Sequence, residues 1–373
     1  MVQSLVGFII KDGRWIAARS TQHFPHAKGR YHEGDLNFKA GAELYAVNRF
    51  TALQNRLGHI TGNRAGDSFA DMGEQSMPDA VDTLIRAQGL PAVYRQTVEL
   101  VHHLAAVRIA QRHRELGRAI VVGLSGSQGS GKSTMAAFLE ILLKAQGLST
   151  VTLSIDDLYL TLPKRQKLAE KVHPLLRTRG VPGTHEVGLG MDLIDVLCHG
   201  RGKVSIPRFD KAEDTRAPSK RWPRVVAPVD VILFEGWCVG AIPQSDDALT
   251  QPVNALEGDE DADGAWRRHV NEQLKGDYAA LFGRIDILAL LKAPSFEVVF
   301  EWRSLQERKL AERVARENLT GTRIMSPDQI RRFLMFYQRL TERILAEMPG
   351  RADIIMPLDE SHRILGVEFR CQF

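Results

Sequence analysis

The sequence lacks the cysteine spacing of a metal or redox site, and it lacks any long apolar run. Its three cysteines stand far apart, at Cys198, Cys238 and Cys371, and none belongs to a CxxC pair. No apolar stretch approaches the ~18 residues that a membrane-spanning helix needs. The N-terminus also lacks the positively charged region and long apolar core of a secretory signal. We therefore expect reduced thiols, no membrane partner and a cytoplasmic protein.

A marked excess of one charge is missing too. The 373 residues include 49 Lys and Arg against 45 Asp and Glu, for a net charge of +4, and the basic residues are spread along the chain. A surplus this small does not indicate a nucleic-acid partner, since an enzyme that binds phosphates has the same bias. We expect a protein that acts on a small molecule. The sequence does not predict its oligomeric state.

Short apolar runs alternate with helical patterns after residue 90. The runs predict strands at Ala119–Leu124, Val151–Ile155, Val229–Phe234, Ile285–Leu291 and Asp353–Leu358. Apolar residues at helical spacing predict helices at Pro91–Arg114, Ser133–Gln146, Met191–Cys198, Pro294–Glu317 and Ser326–Met348. In the last helix, Ser326 is placed as the cap and Pro327 in the first turn. This alternation predicts an α/β fold with a doubly wound parallel sheet.

Residues 1–90 do not share this pattern, so we predict an N-terminal segment of unknown role at 1–90 and an α/β domain at 91–373. Two runs, Leu5–Ile10 and Arg14–Ala18, flank an Asp-Gly pair and predict a β-hairpin. The region Gly58–Pro78 is rich in small polar residues and predicts a linker. Three nearby histidines without acidic or cysteine partners favour a surface position over a metal site: His23, His26 and His32.

A glycine-rich motif of the form G-x-x-x-x-G-K-[ST] follows the first predicted strand of the α/β domain and opens a helix, as its mechanism requires. Glycines let successive backbone N–H groups face phosphate oxygens, and the helix N-terminus adds a positive dipole. Lys132 is expected to reach the β- and γ-phosphates, and the Ser133 hydroxyl to bind Mg²⁺. The predicted ATP-binding residues are Gly126, Ser127, Gln128, Gly129, Ser130, Gly131, Lys132, Ser133 and Thr134.

Three carboxylates follow predicted strands, where the carboxyl ends of a parallel sheet surround a ligand crevice. Asp156 and Asp157 come after one strand, and Glu235 comes after another. Phosphoryl transfer needs carboxylate or hydroxyl oxygens for Mg²⁺ and a base near the acceptor hydroxyl. The structural alternative is that the two aspartates only cap a helix beginning near Leu158.

Guanine specificity is disfavoured, because the strand ending at Leu291 is not followed by an N-K-x-D or T-K-x-D motif.

With these residues in place, the chain between about Pro91 and Asp359 resembles the D-glycerate 3-kinase family of plants, fungi and bacteria. That family is related to phosphoribulokinase, uridine kinase and pantothenate kinase. The family-like segments are Gly123–Thr134, Ser154–Leu160, Arg179–Glu186, Pro207–Lys211 and Phe234–Trp237. The chain departs from the plant pattern at Leu158, where Phe is usual, and at Glu186, where Asp is usual.

The resemblance implies a P-loop kinase domain with ATP and Mg²⁺ as cofactors. It implies that Asp156 is the general base, that Glu235 helps to hold Mg²⁺ together with Ser133, and that Arg303 belongs to a lid over the phosphates. Asp157 is a further predicted metal ligand, and Arg308 is a weaker lid candidate.

A glycerate kinase must also hold a carboxylate, for which the bidentate fork of arginine is well suited. Arg208 and Lys211 are the predicted carboxylate-binding residues, with a solvated basic loop as the alternative. The other predicted substrate residues are Tyr159, Arg179 and His185, of which His185 would serve equally well to hold its own loop.

The sequence thus favours transfer of the ATP γ-phosphoryl group to a hydroxyl of a small anionic metabolite, with D-glycerate to 3-phosphoglycerate as the leading reaction. Two alternatives stay open. One is a P-loop kinase for another acceptor, such as pantothenate, a nucleoside or a sugar phosphate. The other is a P-loop ATPase that acts on a partner protein, which the lack of a metal-binding Cys/His cluster disfavours.

Overall fold

The computed structural model describes residues 5–11 and 14–20 by their backbone, and residues 76–317 and 324–370. The chain divides into two compact units, residues 1–76 with 368–373, and residues 77–367. In the first unit, β1 (Leu5–Lys11) and β2 (Arg14–Ser20) pair antiparallel, which confirms the predicted hairpin. Almost all of the predicted linker lies outside the described residues, as do His23, His26 and His32.

The second unit alternates helices and strands along the chain. Its first half contains α1 (Met77–Ala87), α2 (Tyr94–Thr97), α3 (His103–Leu116), β3 (Ile120–Gly126), α4 (Lys132–Lys144), β4 (Thr150–Ser154), α5 (Leu162–Lys171) and α6 (Val187–His199). Four short strands follow: β5 (Gly202–Ser205), β6 (Phe209–Asp210), β7 (Thr215–Arg216) and β8 (Arg224–Ala227). The rest comprises β9 (Val231–Gly236), α7 (Ala255–Glu260), α8 (Ala265–Lys275), α9 (Asp277–Phe282), β10 (Ile287–Lys292), α10 (Phe296–Glu317), α11 (Pro327–Glu347) and β11 (Ile354–Pro357). The last strand, β12 (Gly366–Arg370), starts in the second unit and ends in the first.

Five parallel strands form the centre of this unit in the order β4-β9-β3-β10-β11. From the central β3 the chain crosses to one side for β4 and β9 and then to the other for β10 and β11. The predicted doubly wound parallel sheet is confirmed, and the ends of its five strands differ from the predicted ends by one or two residues. Because the strand order reverses at β3, the carboxyl ends of β3, β4 and β9 adjoin the crevice where such sheets bind ligands.

Continuous apolar runs produce the buried strands. Every residue of β3 and of β9 is buried, as expected for strands covered by helices on both faces. The core around them includes Phe234, Leu290 and Tyr337. A rigid apolar sheet of this kind holds the loops at its carboxyl edge in fixed positions.

Helix α11 begins as predicted. The Ser326 hydroxyl accepts from the Gln329 backbone N–H, while the Gln329 side chain accepts from the Ser326 N–H, and Pro327 occupies the first turn. The predicted helix at Pro91–Arg114 is instead α2 and α3 joined by a π-helical segment, Val98–His102. None of the helices in the described ranges is long and apolar enough to cross a membrane.

The second unit starts at Met77, before the predicted boundary at residue 90. Helix α1 accounts for the difference, since its apolar face places Val81 and Ile85 in buried positions within the second unit. The helices α5, α7 and α8 were not predicted because few apolar residues mark them, and α9 was not predicted because it is only six residues long. Two small antiparallel pairs, β5 with β8 and β6 with β7, form an insertion ahead of β9.

Candidate active site

The glycine-rich loop connects β3 to α4 and leaves polar groups unpaired. Gly129 and Gly131 have φ angles of +80° and +92°, a region that glycine adopts without strain. A Cβ atom on Gly126 would lie 2.7 Å from the Ser130 hydroxyl, so the loop is too tight there for a side chain. Within the described ranges, the hydroxyls of Ser127 and Ser130 are buried without a hydrogen-bond partner. Buried unpaired donors at a helix N-terminus favour an anionic ligand, and they fit the predicted ATP phosphates.

Lys132 opens α4 and folds back over the loop. Its ammonium donates to the Ser127 carbonyl at 3.0 Å. Burial lowers the pKa of the ammonium, while the nearby carboxylates of Glu235 and Asp156 oppose the shift. The charge of Lys132 is thus held where phosphate oxygens would meet it. The other two predicted loop residues, Gln128 and Thr134, lie in the turn before α4 and in its first turn.

Ser133 and Glu235 form the candidate Mg²⁺ site. Glu235 lies in β9 opposite Leu124 of β3, so the sheet register brings it to the start of α4. The Ser133 hydroxyl donates to Glu235 Oε1 at 3.1 Å, and Glu235 is buried. Two oxygen donors of this kind, one of them charged, suit a hard divalent cation. The residues present therefore fit Mg²⁺.

Asp156 lies in a 3₁₀ turn, Ile155–Leu158, that follows β4. Its Oδ1 accepts from the Tyr159 hydroxyl at 2.7 Å, and its Oδ2 accepts from the Lys211 ammonium at 2.6 Å. Burial alone would raise the pKa of this carboxyl, but the Lys211 charge and the two hydrogen bonds outweigh it and lower the pKa. The base predicted from the sequence is therefore held ionised by a lysine.

Asp157 points to the insertion rather than to the glycine-rich loop. Its Oδ1 accepts from the Phe209 backbone N–H at 2.9 Å, and its Oδ2 accepts from Arg208 at 3.0 Å. Burial raises the pKa of this carboxyl, and both donors oppose that shift. Its role as a metal ligand stays a prediction, and its contacts favour a second role in fixing the Arg208 segment.

Arg179 and a buried arginine share one carboxylate. Arg179 and Arg165 each form an ion pair with Asp214, and Arg165 is completely buried. The Arg179 guanidinium also donates to the Lys211 carbonyl at 3.3 Å and lies 5.6 Å from the centre of the Phe209 ring. Two cations on one carboxylate leave a net positive charge, which suits an anionic acceptor beside Asp156.

His185 is a buried neighbour of Asp156. Its ring stacks on Tyr159 with centroids 4.7 Å apart, and its Nδ1 lies 2.6 Å from the Tyr278 hydroxyl. The Tyr278 oxygen accepts from the Gly183 N–H at 3.0 Å, so we assign its hydroxyl proton to His185 Nδ1. Burial lowers the pKa of His185 to about 4, although Asp156 opposes this. The neutral ring then carries its proton on Nε2, which is buried without a partner in the described part of the chain.

No protein-family model matches the chain. An uncharacterized kinase of Schizosaccharomyces pombe is 34% identical over 208 residues, which are 53% of this chain and 73% of the relative. The chloroplastic D-glycerate 3-kinase of Arabidopsis thaliana is 30% identical over 243 residues, 63% of this chain and 50% of that protein. The solved structure of D-glycerate 3-kinase from Cryptococcus neoformans matches with a TM-score of 0.57 and 26% identity, over 74% of this chain and 99% of that one.

The chain belongs to the P-loop kinase family that includes D-glycerate 3-kinase. It is a kinase, and the family resemblance seen in its motifs is confirmed. Kinase relatives also support the use of ATP. The identity of the acceptor depends on the residues beside Asp156.

The two residues predicted to belong to a lid, Arg303 and Arg308, lie on α10. Arg303, on α10, pairs with the buried Glu307 at 2.7 Å and lies 5.8 Å from the centre of the Phe333 ring. Glu307 in turn accepts from the Met325 N–H at 2.6 Å. Arg308 is exposed. A phosphate-contacting role for Arg303 stays a prediction. It requires Arg303 to exchange its ion pair with Glu307 for a contact with a phosphate oxygen.

The structure brings most of the predicted site residues together through shared contacts. Ser133 bonds Glu235 at the start of α4, and the charge of Asp156 acts on Lys132. Asp156 also accepts from Tyr159 and Lys211. Sequence reasoning missed Arg165, Asp214 and Tyr278. Only the fold pairs Asp214 with Arg179 and Arg165, and Tyr278 with His185, across separations of 35 to 93 positions.

Proposed function

We propose that the protein transfers the γ-phosphoryl group of ATP to a hydroxyl of D-glycerate to give 3-phosphoglycerate. The observation that supports this most is the setting of Asp156. A carboxylate base stands at the sheet edge that carries the glycine-rich loop. Lys211 contacts it, while Arg208 pairs with the adjacent Asp157 and Arg179 donates to the Lys211 carbonyl. An acceptor that offers a hydroxyl and a carboxylate matches both features.

In the proposed reaction, the acceptor hydroxyl oxygen forms a bond to the γ-phosphorus while the bond to the bridging oxygen of ADP breaks. Asp156 accepts the hydroxyl proton. Lys132 and the loop N–H groups hold the charge on the transferring group, and they are in place before the reaction. Ser133 and Glu235 would hold Mg²⁺, which neutralises phosphate charge when bound.

The acceptor carboxylate would be held on the insertion side. Arg179 presents a guanidinium already fixed by Asp214, and Lys211 lies directly beside the base. Both are partly exposed, so an acceptor can reach them. Arg208 is the third predicted contact, and Asp157 holds it at the same edge. The tight cluster of cations next to one base favours a small acceptor over a protein.

The test is ATP consumption by the full chain with Mg²⁺ and a panel of D-glycerate, L-glycerate, glycerol, pantothenate and uridine, with mass and NMR analysis of products. We expect D-glycerate to give 3-phosphoglycerate with one ADP per product. Phosphorylation of pantothenate or uridine alone would show that the protein is a kinase with a different acceptor. ATP turnover that responds only to an added protein fraction would overturn the proposal.

A further inference from the structure

The Lys211 ammonium binds Asp156 Oδ2, an oxygen through which the proposed base would accept a proton. The Lys211 ammonium lies 2.6 Å from Asp156 Oδ2, and the Tyr159 hydroxyl occupies Oδ1 at 2.7 Å. A hydroxyl that is to lose its proton must approach one of these oxygens within hydrogen-bond distance. Each oxygen of the base therefore already accepts one donor, and the donor on Oδ2 is a cation.

The two donors differ in how easily they move. Tyr159 is buried, stacks on His185 and meets the Phe209 ring edge-on, so neighbouring rings fix its hydroxyl. The Lys211 side chain is 60% exposed and extends from the β6–β7 turn. Water competes for the Lys211 end of the pair, which makes the pair weaker than one in which both charges are buried. Lys211 is thus the donor that a ligand can displace.

The neighbouring pair between Arg208 and Asp157 is built differently. Asp157 accepts from both the Arg208 side chain and the Phe209 backbone, so its position is tied to the chain itself. Arg179 also donates to the Lys211 carbonyl, which holds the backbone of the turn while leaving the ammonium free to swing. The turn is anchored, and only the end of one lysine needs to move.

We propose that Lys211 caps the Asp156 carboxylate until an acceptor that carries its own carboxylate draws the ammonium away, so that the base is released for anionic hydroxy acids and withheld from water and neutral alcohols. This inference rests on the proposed function, with Asp156 as base. Lys211 then has two partners one after the other, first the Asp156 oxygen and then the acceptor carboxylate.

The step balances as an ordinary phosphoryl transfer. The acceptor carboxylate replaces Asp156 as the partner of the Lys211 ammonium, and no proton moves in this exchange. The acceptor hydroxyl then donates to the freed Oδ2. Its oxygen bonds to the γ-phosphorus, the electron pair of the broken bond goes to ADP, and the proton goes to Asp156.

The experiment compares the full chain with Lys211→Met, Lys211→Arg and Lys203→Met, an exposed lysine of β5 that serves as the control. Each protein receives Mg²⁺ and ATP with D-glycerate, with glycerol as the neutral analogue, or with no acceptor. Melting curves and nucleotide titration show that the fold and ATP binding are kept.

We expect Lys211→Met to lower kcat/KM for D-glycerate about ten- to a hundredfold, the usual effect of losing a charge-assisted contact. Glycerol turnover should not fall, so the preference for glycerate over glycerol shrinks by a similar factor. ATP hydrolysis without acceptor should rise severalfold, and adding Asp156→Asn should abolish that rise. Lys211→Arg should restore most of the preference, and Lys203→Met should behave as the wild type.

Equal losses with glycerate and glycerol, together with unchanged ATP hydrolysis, would overturn the cap and leave Lys211 a structural residue. The hydrolysis assay without acceptor tests whether Lys211 caps Asp156, and its result does not depend on which acceptor the enzyme takes. A wild type that forms no phosphoglycerate would therefore reject the proposed substrate, while unchanged hydrolysis in Lys211→Met would reject the cap.

Discussion

The Ser133 hydroxyl and the Glu235 carboxylate lie 3.1 Å apart although 102 positions separate them in the chain. The pairing of β3 with β9 explains this, since Glu235 lies opposite Leu124 at the end of the strand that leads into the glycine-rich loop. Oxygen donors from two elements of one sheet thus meet at the start of α4.

We predict that Glu235→Gln raises the Mg²⁺ concentration for half-maximal activity about ten- to a hundredfold, as expected when a charged contact becomes neutral. The change keeps the size of the side chain and its bond to Ser133. The measurement is initial rate against Mg²⁺ at fixed ATP. An unchanged Mg²⁺ requirement would remove Glu235 from the metal site.

Lys132→Ala should reduce kcat by about 10²–10³, the usual loss for one preorganised donor to a transition state. Its partly buried ammonium meets the developing charge on the phosphoryl group without rearrangement. Lys144→Ala, an exposed change at the far end of the same helix, is the control. Turnover within about threefold of the wild type, with an unchanged melting curve, would contradict the prediction.

Asp156→Asn should lower the rate of acceptor phosphorylation by about 10²–10⁴, the typical contribution of a general base. The amide keeps a hydrogen bond to Tyr159 but cannot accept the hydroxyl proton. Nucleotide affinity, measured by titration, should change little. A large loss of ATP and Mg²⁺ affinity would instead make Asp156 mainly a metal ligand.

Asp214→Ala should destabilise the fold by about 1–3 kcal/mol, because it leaves the buried Arg165 without its charged partner. It should also raise KM for the acceptor more than KM for ATP, since Arg179 loses its fixed orientation. Denaturant titration and steady-state kinetics check the two effects. If the stability falls and both KM values stay unchanged, Arg179 does not contact the acceptor.

Acid should destabilise the protein through His102. Burial lowers the pKa of this histidine to about 3, whereas in the unfolded chain it is ~6.5. Between these values the unfolded state binds a proton that the folded state does not. Stability therefore falls as pH drops through this window, by up to ~1.4 kcal/mol per pH unit for this group.

His102→Gln should reduce that slope, since the amide does not titrate and still offers Tyr94 a hydrogen-bond partner. The measurement is denaturant unfolding between pH 7 and pH 4. His199→Gln, at an exposed position, should leave the slope unchanged. Equal slopes for wild type and His102→Gln would show that other groups cause the acid sensitivity.

The sequence predicted the sheet well because buried parallel strands are continuous apolar runs, as at Val231–Gly236. It also identified the glycine-rich loop, whose mechanism requires fixed local spacing. It could not predict that Arg165 is fully buried, because its helix, Leu162–Lys171, reads as a charged surface helix. Nor could it pair Tyr278 with His185, since that contact depends on how α9 packs against the loop before α6.

The insertion of residues 202–227 carries Arg208, Lys211 and Asp214, whereas the phosphate loop and Asp156 belong to the sheet edge. Two of the three proposed acceptor contacts, Arg208 and Lys211, are thus encoded apart from the nucleotide loop. We expect that replacing residues 202–227 changes the preferred acceptor while the ATP-binding loop is kept.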